Sequence, residues 1–303
     1  MGELAAVVST LCFAAANVTI TRGAARDAAD NGAFLSILMT AALAALAMLV
    51  FRPPQGAHDP NLAGVAWFAA SGLLTVFVGR VFLYASVQHL GAVRASAVKR
   101  LNPVFSVLLG ITLLGEPVGL SMAVGMTLIF VSFGMLAMES WRSLPVGERE
   151  TRRGALRSLA NLGYFYGPVS ALAYATGYLA RKQGLLAMPD PNFGTFIGAV
   201  AGAVTFVIAG CFVASYRAAL VGTFRRFNPW LWAAAVLASI GQILQFVALN
   251  TMAISRVALI ASLEVIATML FSVWLLRRRE SMGVMTIAAA LLSVAGAALV
   301  IRY

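Results

Sequence analysis

Arg80, Lys99, Arg100 and Glu264 are charged residues set inside long apolar stretches of the sequence rather than between them. A charge near the middle of a bilayer costs about 3 kcal/mol or more, and such residues face an interior cavity or a partner. Cations held there would grip a carboxylate or phosphate, arginine in a two-pronged fashion and lysine as a point charge. Glu264 has two candidate uses. It takes up a proton as a coupling step, or it pairs with Arg80 or Lys99 until substrate displaces it. Uncharged groups stand on neighbouring faces. Gln242 and Gln245 line one side of a run with Ser239, while Tyr174 and Tyr178 share a helical face with Ser170 and Arg181. Asn17 follows Thr10 by seven residues, two turns along one face. Lys99, Pro103, Ser106 and Gly110 form a further stripe, in which Pro103 frees the carbonyl of Lys99 and bends the helix. Gly79 and Gly241, beside Arg80 and Gln242, are the other candidate hinge positions.

This chemistry is binding, not catalysis. His58 falls in a connection, His89 ends a run, and Asp27, Asp30, Asp59 and Asp190 all lie between runs. No nucleophile–base pair or metal cluster is expected at membrane depth, so neither an enzyme nor a cofactor or metal site is expected.

The elements that must position these residues are membrane helices. The 303 residues are 61% hydrophobic and 11% charged, with a mean hydropathy of +0.88, too little polar surface to coat a soluble core. The net charge of +11 comes as short clusters between runs, which orient helices in a bilayer and do not suit nucleic acid. Cys12 and Cys211 sit alone in apolar runs and read as buried, inert thiols. Crossing a ~30 Å hydrocarbon core takes about 20 apolar residues. Ten runs qualify, at roughly 3–21, 33–51, 63–89, 92–115, 118–138, 164–182, 193–215, 229–250, 254–276 and 282–301. The runs lack strand alternation, so the fold class is an all-α polytopic membrane protein with ten transmembrane helices. MGELAAVVSTL reads as the start of the first span, not as a removable signal.

The basic connection 139–163 separates a repeat over 1–138 from one over 164–303. VGRVFLYASVQHLGAVRASAV (78–98) lies over IGQILQFVALNTMAISRVALI (240–260) without a gap, at a displacement of 162 residues. Gly79 matches Gly241, Gln242 stands for Arg80 and Glu264 for Asn102. Five spans per repeat force the second copy to enter the membrane upside down. Inverted repeats characterise secondary transporters, which bind substrate near the midplane between the copies.

LNPVFSVLLGITLLGE (101–116) followed by GMTLIFVSFGMLA (125–137) resembles the drug/metabolite transporter superfamily, in its EamA-domain branch. The second repeat departs from that pattern, with Val265 where the proline would stand and Arg277 to Arg279 interrupting the Leu-Leu-Gly-Glu run. The resemblance implies ATP-independent transport of a small metabolite by rocking of the two halves. With the buried cations, this predicts a carrier of an anionic or zwitterionic solute, an amino acid or related carboxylate, in the export direction. An exchanger of phosphorylated metabolites or sugar nucleotides is the alternative, and a non-transporting scaffold a third reading. The expected partners are the lipid bilayer, the metabolite and protons as coupling ion. A bacterial inner membrane is the expected location. Fourteen basic residues flank the spans on one side, against five on the other (Arg52, Arg181, Lys182, Arg256 and Arg302). The positive-inside rule then puts both termini outside, whereas the resemblance implies both inside.

Overall fold

The computed structural model describes residues 1–24, 31–51, 61–90, 101–142, 162–225, 227–276 and 284–302; Lys99, Arg100 and most of the 139–163 linker lie outside them. Among the described residues the chain is all helical, with no strand. In order come α1 (Gly2–Gly23), α2 (Ala33–Val50) and α3 (Leu62–Ser71), which continues through a π-helical segment (Gly72–Gly79) into α4 (Arg80–Leu90). Next are α5 (Leu101–Leu114), α6 (Leu120–Arg142), α7 (Leu162–Ala187), α8 (Pro191–Phe212) and α9 (Ala214–Arg225). The chain closes with α10 (Pro229–Thr251), α11 (Ile254–Ala261), α12 (Glu264–Leu276) and α13 (Val284–Arg302).

Local chemistry sets several of these boundaries. Asp190 accepts from the backbone N–H groups of Asn192 and Phe193, both at 3.0 Å, with Pro191 as the first residue of α8. Asn228 does the same for Trp230 at 3.1 Å ahead of Pro229. An acceptor side chain followed by proline satisfies the free N–H groups of a helix start. Six helical stretches among the described residues are long and apolar enough to cross a membrane: Gly2–Gly23, Ala33–Val50, Leu62–Gln88, Pro191–Phe212, Pro229–Thr251 and Ile254–Leu275. Helix α9 was expected as connecting chain. It folds back along α8, with Leu220 lying over Gly210.

Packing between the halves is reciprocal. α1 packs against α10, as α7 packs against α3, the π segment and α4; α1 also meets α11 and α12, as α7 meets α5. α2 lies against α8, and α6 against α13. Matching hydrogen bonds tie these contacts. The Ser9 hydroxyl donates to the Gly241 carbonyl and the Ser170 hydroxyl to the Gly79 carbonyl, each at 2.7 Å. Lipid supplies no hydrophobic drive between helices, so association rests on small residues and such bonds. Gly79 lies under the Tyr174 ring and Gly241 against Ser9, Cys12 and Phe13. Both glycines thus serve close approach, and α10 runs unbroken through Gly241. Of the two thiols, Cys12 is half-buried but Cys211 is exposed. The expected burial of Cys211 fails because an apolar outer face of a membrane helix is covered by lipid rather than protein.

The Leu-Leu-Gly-Glu turn has a structural task. Gly115 adopts φ +62°, in the left-handed region, and the Glu116 N–H returns to the Gly110 carbonyl at 3.1 Å. This lays the Glu116 carboxylate over Gly110 and against the start of α11. There it accepts from the N–H groups of Ile254 (2.7 Å) and Ser255 (3.1 Å) and from the Ser255 hydroxyl. Lys182 donates to the carbonyls of Leu249 and Met252, each at 2.9 Å, at the end of α10. Both sides of the α10–α11 turn are therefore capped by side chains from other elements. Glu116→Ala is expected to cost about 2 kcal/mol by leaving those N–H groups unpaired, read as a lowered melting temperature in detergent. Glu116→Gln, which keeps an acceptor oxygen, is expected to recover part of the loss.

Candidate functional site

The site is built where the two halves meet on either side of α10. The π segment holds one extra residue per turn, which re-aims the side chains at its end. Thr75 lies within it, and Arg80 follows directly, its N–H bonded back to the carbonyls of Thr75 and Phe77. Arg80 is only 2% exposed. Its guanidinium donates to the carbonyl and hydroxyl of Ser36 (2.9 and 3.0 Å), the Thr40 hydroxyl (2.8 Å) and the Gln242 amide oxygen (3.4 Å). The Thr40 hydroxyl in turn meets Ser239 at 2.9 Å.

A second guanidinium lies beside the first. Arg181 is 0% exposed, donating to the Gln245 amide oxygen at 2.7 Å and to the Thr75 hydroxyl. Its plane sits 4.6 Å from the Phe246 ring centre and 5.3 Å from that of Tyr178. The other end of Gln245 donates to the Tyr178 hydroxyl at 2.7 Å, which fixes the amide with its oxygen toward Arg181. Both cations bridge the halves: Arg80 reaches Gln242 in the second, and Arg181 reaches Thr75 in the first. All their acceptors among the described residues are neutral. The side-chain ion pair among the described residues joins Arg256 to the part-exposed Glu3, at 3.7 Å. The Arg181 Nε and the Gln242 Nε2 are buried without a hydrogen-bond partner.

Glu264 occupies a separate break. α11 ends at Ala261, Ser262 and Leu263 form a turn, and Glu264 opens α12. Its carboxylate accepts from the Asn17 amide at 2.7 Å, and the Thr268 hydroxyl bonds its backbone carbonyl at 2.6 Å.

The sequence-predicted residues thus fall into three groups. Arg80 joins Gln242, Gln245 joins Tyr178 with Tyr174 beside it (ring centres 6.3 Å apart), and Asn17 joins Glu264. An Arg80–Glu264 pair does not form: Arg80 bonds Ser36, Thr40 and Gln242, and the Glu264 carboxylate accepts from Asn17. Pro103 is buried on α5 next to Asn102, whose side chain accepts from Ser106 at 2.8 Å. Lys99 lies outside the described residues, and so does Arg100. Sequence reasoning missed Arg181, which it counted among the charges flanking the spans, and also Ser36, Thr40 and Thr75. Arg181 stood on the same helical face as Ser170, Tyr174 and Tyr178, and it is buried six residues before α7 ends at Ala187.

Three comparisons bear on identity. A solved crystal structure superposes with a TM-score of 0.66 at 14% identity, covering 99% of this chain and 96% of that one, a likeness of fold. A Bacillus subtilis (strain 168) protein, the uncharacterized transporter YcbK, is 29% identical over 119 residues. That alignment covers 37% of this chain and 36% of the relative, so it spans about a third of the relative's length. The EamA-like transporter family model matches twice, over residues 1–138 and 161–302. These matches and the apolar helices describe an integral membrane protein of two repeats. The chain belongs to the EamA-like transporter family.

Proposed function

We propose that the protein is a secondary transporter of a small anionic or zwitterionic metabolite, an amino acid or related carboxylate, working in export by alternating access. Its units are two inverted five-span repeats, 1–138 and 164–303, in a bacterial inner membrane. One observation carries this reading: two fully buried guanidinium groups bridge the halves and, among the described residues, are held by neutral acceptors alone. Leaving a cation uncompensated in a dry interior costs several kcal/mol, and an anionic ligand removes that cost. A rocking motion of the halves must break and remake these bridges, which links substrate binding to the movement. The contact between Arg80 and Gln242, equivalent positions 162 residues apart, supports an internal two-fold axis running through the site. A lipophilic cation is repelled by the same charges. With Arg181 inside α7, the charge asymmetry between the two sides grows, which favours both termini outside.

The test is solute flux in proteoliposomes, preceded by a melting-temperature screen against amino acids, dicarboxylates and phosphorylated sugars, since a ligand of the folded state raises the transition. Stabilisation by amino acids or carboxylates and their uptake against an empty control are expected. Strong competition by inorganic phosphate would favour the phosphorylated-metabolite exchanger instead. Glu264 is the proposed proton-coupling group. Glu264→Gln retains an oxygen for Asn17 but loses the titrating carboxylate. The variant is expected to keep substrate counterflow and to lose accumulation driven by a pH gradient. Undiminished pH-driven accumulation would remove Glu264 from that role.

A further inference from the structure

Resting on the transport reading above, we infer that the substrate carries two anionic groups, with Arg181 forming a second anion subsite one helical turn from Arg80. Two independent spacings place the cations side by side. On α10, Gln242 touches Arg80 and Gln245 touches Arg181, and residues three apart on a helix are neighbours on one face. On the opposite wall, Arg181 bonds Thr75, and the Arg80 N–H bonds the Thr75 carbonyl across the wide π turn. The two guanidinium groups therefore meet side chains about one helical turn apart on the same face of α10.

Their surroundings define the ligand's charge. Arg80 acts on Arg181 as a charge of the same sign. A single carboxylate would leave one cation uncompensated. The ammonium of a zwitterion would meet two cations. A molecule with two carboxylates a few bonds apart neutralises both, each taken by one planar fork. The unused donors are suited to such a ligand. The Arg181 Nε–H and the Gln242 amide N–H are buried with no acceptor, one at each cation. Phe246 and Tyr178 brace the Arg181 plane, so its orientation is set before substrate arrives. This separates Arg181 from a merely structural arginine, whose donors would all be used.

The experiment follows the melting temperature of the purified full-length protein with succinate, glutarate, butyrate, alanine and inorganic phosphate. Succinate or glutarate is expected to act at concentrations about tenfold or more below butyrate and alanine. Arg181→Gln is expected to abolish that preference, bringing dicarboxylates to the potency that butyrate shows with the same variant. Arg181→Lys is expected to retain it in part, which keeps the test open if the glutamine variant does not fold. Equal potency of mono- and dicarboxylates in the unaltered protein would overturn the two-anion ligand yet leave an anion or zwitterion carrier standing. A preference that survives in Arg181→Gln would also overturn it, as would phosphate binding more tightly than either dicarboxylate. Failure of every one of these anions to stabilise the protein would instead strike at the transport reading itself.

Discussion

Arg80→Gln is expected to lower the initial rate of transport in proteoliposomes about 100-fold or more, with the protein still inserting and its melting temperature little moved. Arginine offers a substrate anion two parallel charge-assisted hydrogen bonds, and losing them costs about 3 kcal/mol, or two decades in rate at 1.4 kcal/mol per decade. Stability responds differently. The Arg80 guanidinium is buried against neutral acceptors, so its bonds to Ser36, Thr40 and Gln242 offset a large desolvation cost rather than adding a large net gain. A neutral side chain of similar polarity gives up both terms together. The Thr40 hydroxyl retains alternatives, since it also bonds Ser239 and the Ser36 carbonyl within α2. A variant that transports at the normal rate would remove Arg80 from the binding site. Loss of folded protein in detergent would make Arg80 a structural residue.

Gly72→Ala is expected to have the largest effect on stability. A Cβ at this position would overlap the carbonyl oxygen, α-carbon and carbonyl carbon of Gly198, so two backbones must separate where the π segment crosses α8. Overpacking of this kind costs about 3 kcal/mol when no side chain can yield. The result should be a sharply reduced yield of folded protein, read by size-exclusion profile and melting temperature. Gly134→Ala is the matched control. Gly134 lies on α6 with nothing within 4 Å of an added Cβ, so the same change should be neutral or stabilising by about 0.5 kcal/mol. If both variants behave alike, the Gly72–Gly198 crossing is not a tight contact in the membrane.

Much of the helical scaffold was legible from composition and from turn chemistry. The runs at 193–215 and 229–250 were legible from composition, and α8 and α10 begin where Asp190–Pro191 and Asn228–Pro229 supply a cap and a proline in the order a helix start requires. The two-fold likeness of the chain was visible in the constant displacement between residues 78–98 and 240–260. Arg80 could be singled out because no basic residue sits at such depth without a purpose. Arg181 could not, since depth is measured from a helix end and the sequence offered no clear stop between Lys182 and Met188. The π segment left only a weak trace, the glycines that bracket LLTVFV. Contacts such as Asn17 with Glu264, 247 residues apart, depend on which helices lie together, and no local pattern encodes that. The task of Glu116 was hidden for the same reason. Its motif was recognisable, but its partners at Ile254 and Ser255 belong to the other half.

The meeting of Arg80 with Gln242 bears on why the two copies share one chain. A residue that touches its own counterpart stands on a rotation axis, and a homodimer of single-copy subunits must place identical side chains there. Two arginines would repel across the axis, and two glutamines would hold no charge at all. With two repeats in one chain, one repeat carries the cation and the other its neutral acceptor. An asymmetric centre of this kind is open to a pseudosymmetric transporter and closed to a strictly symmetric one.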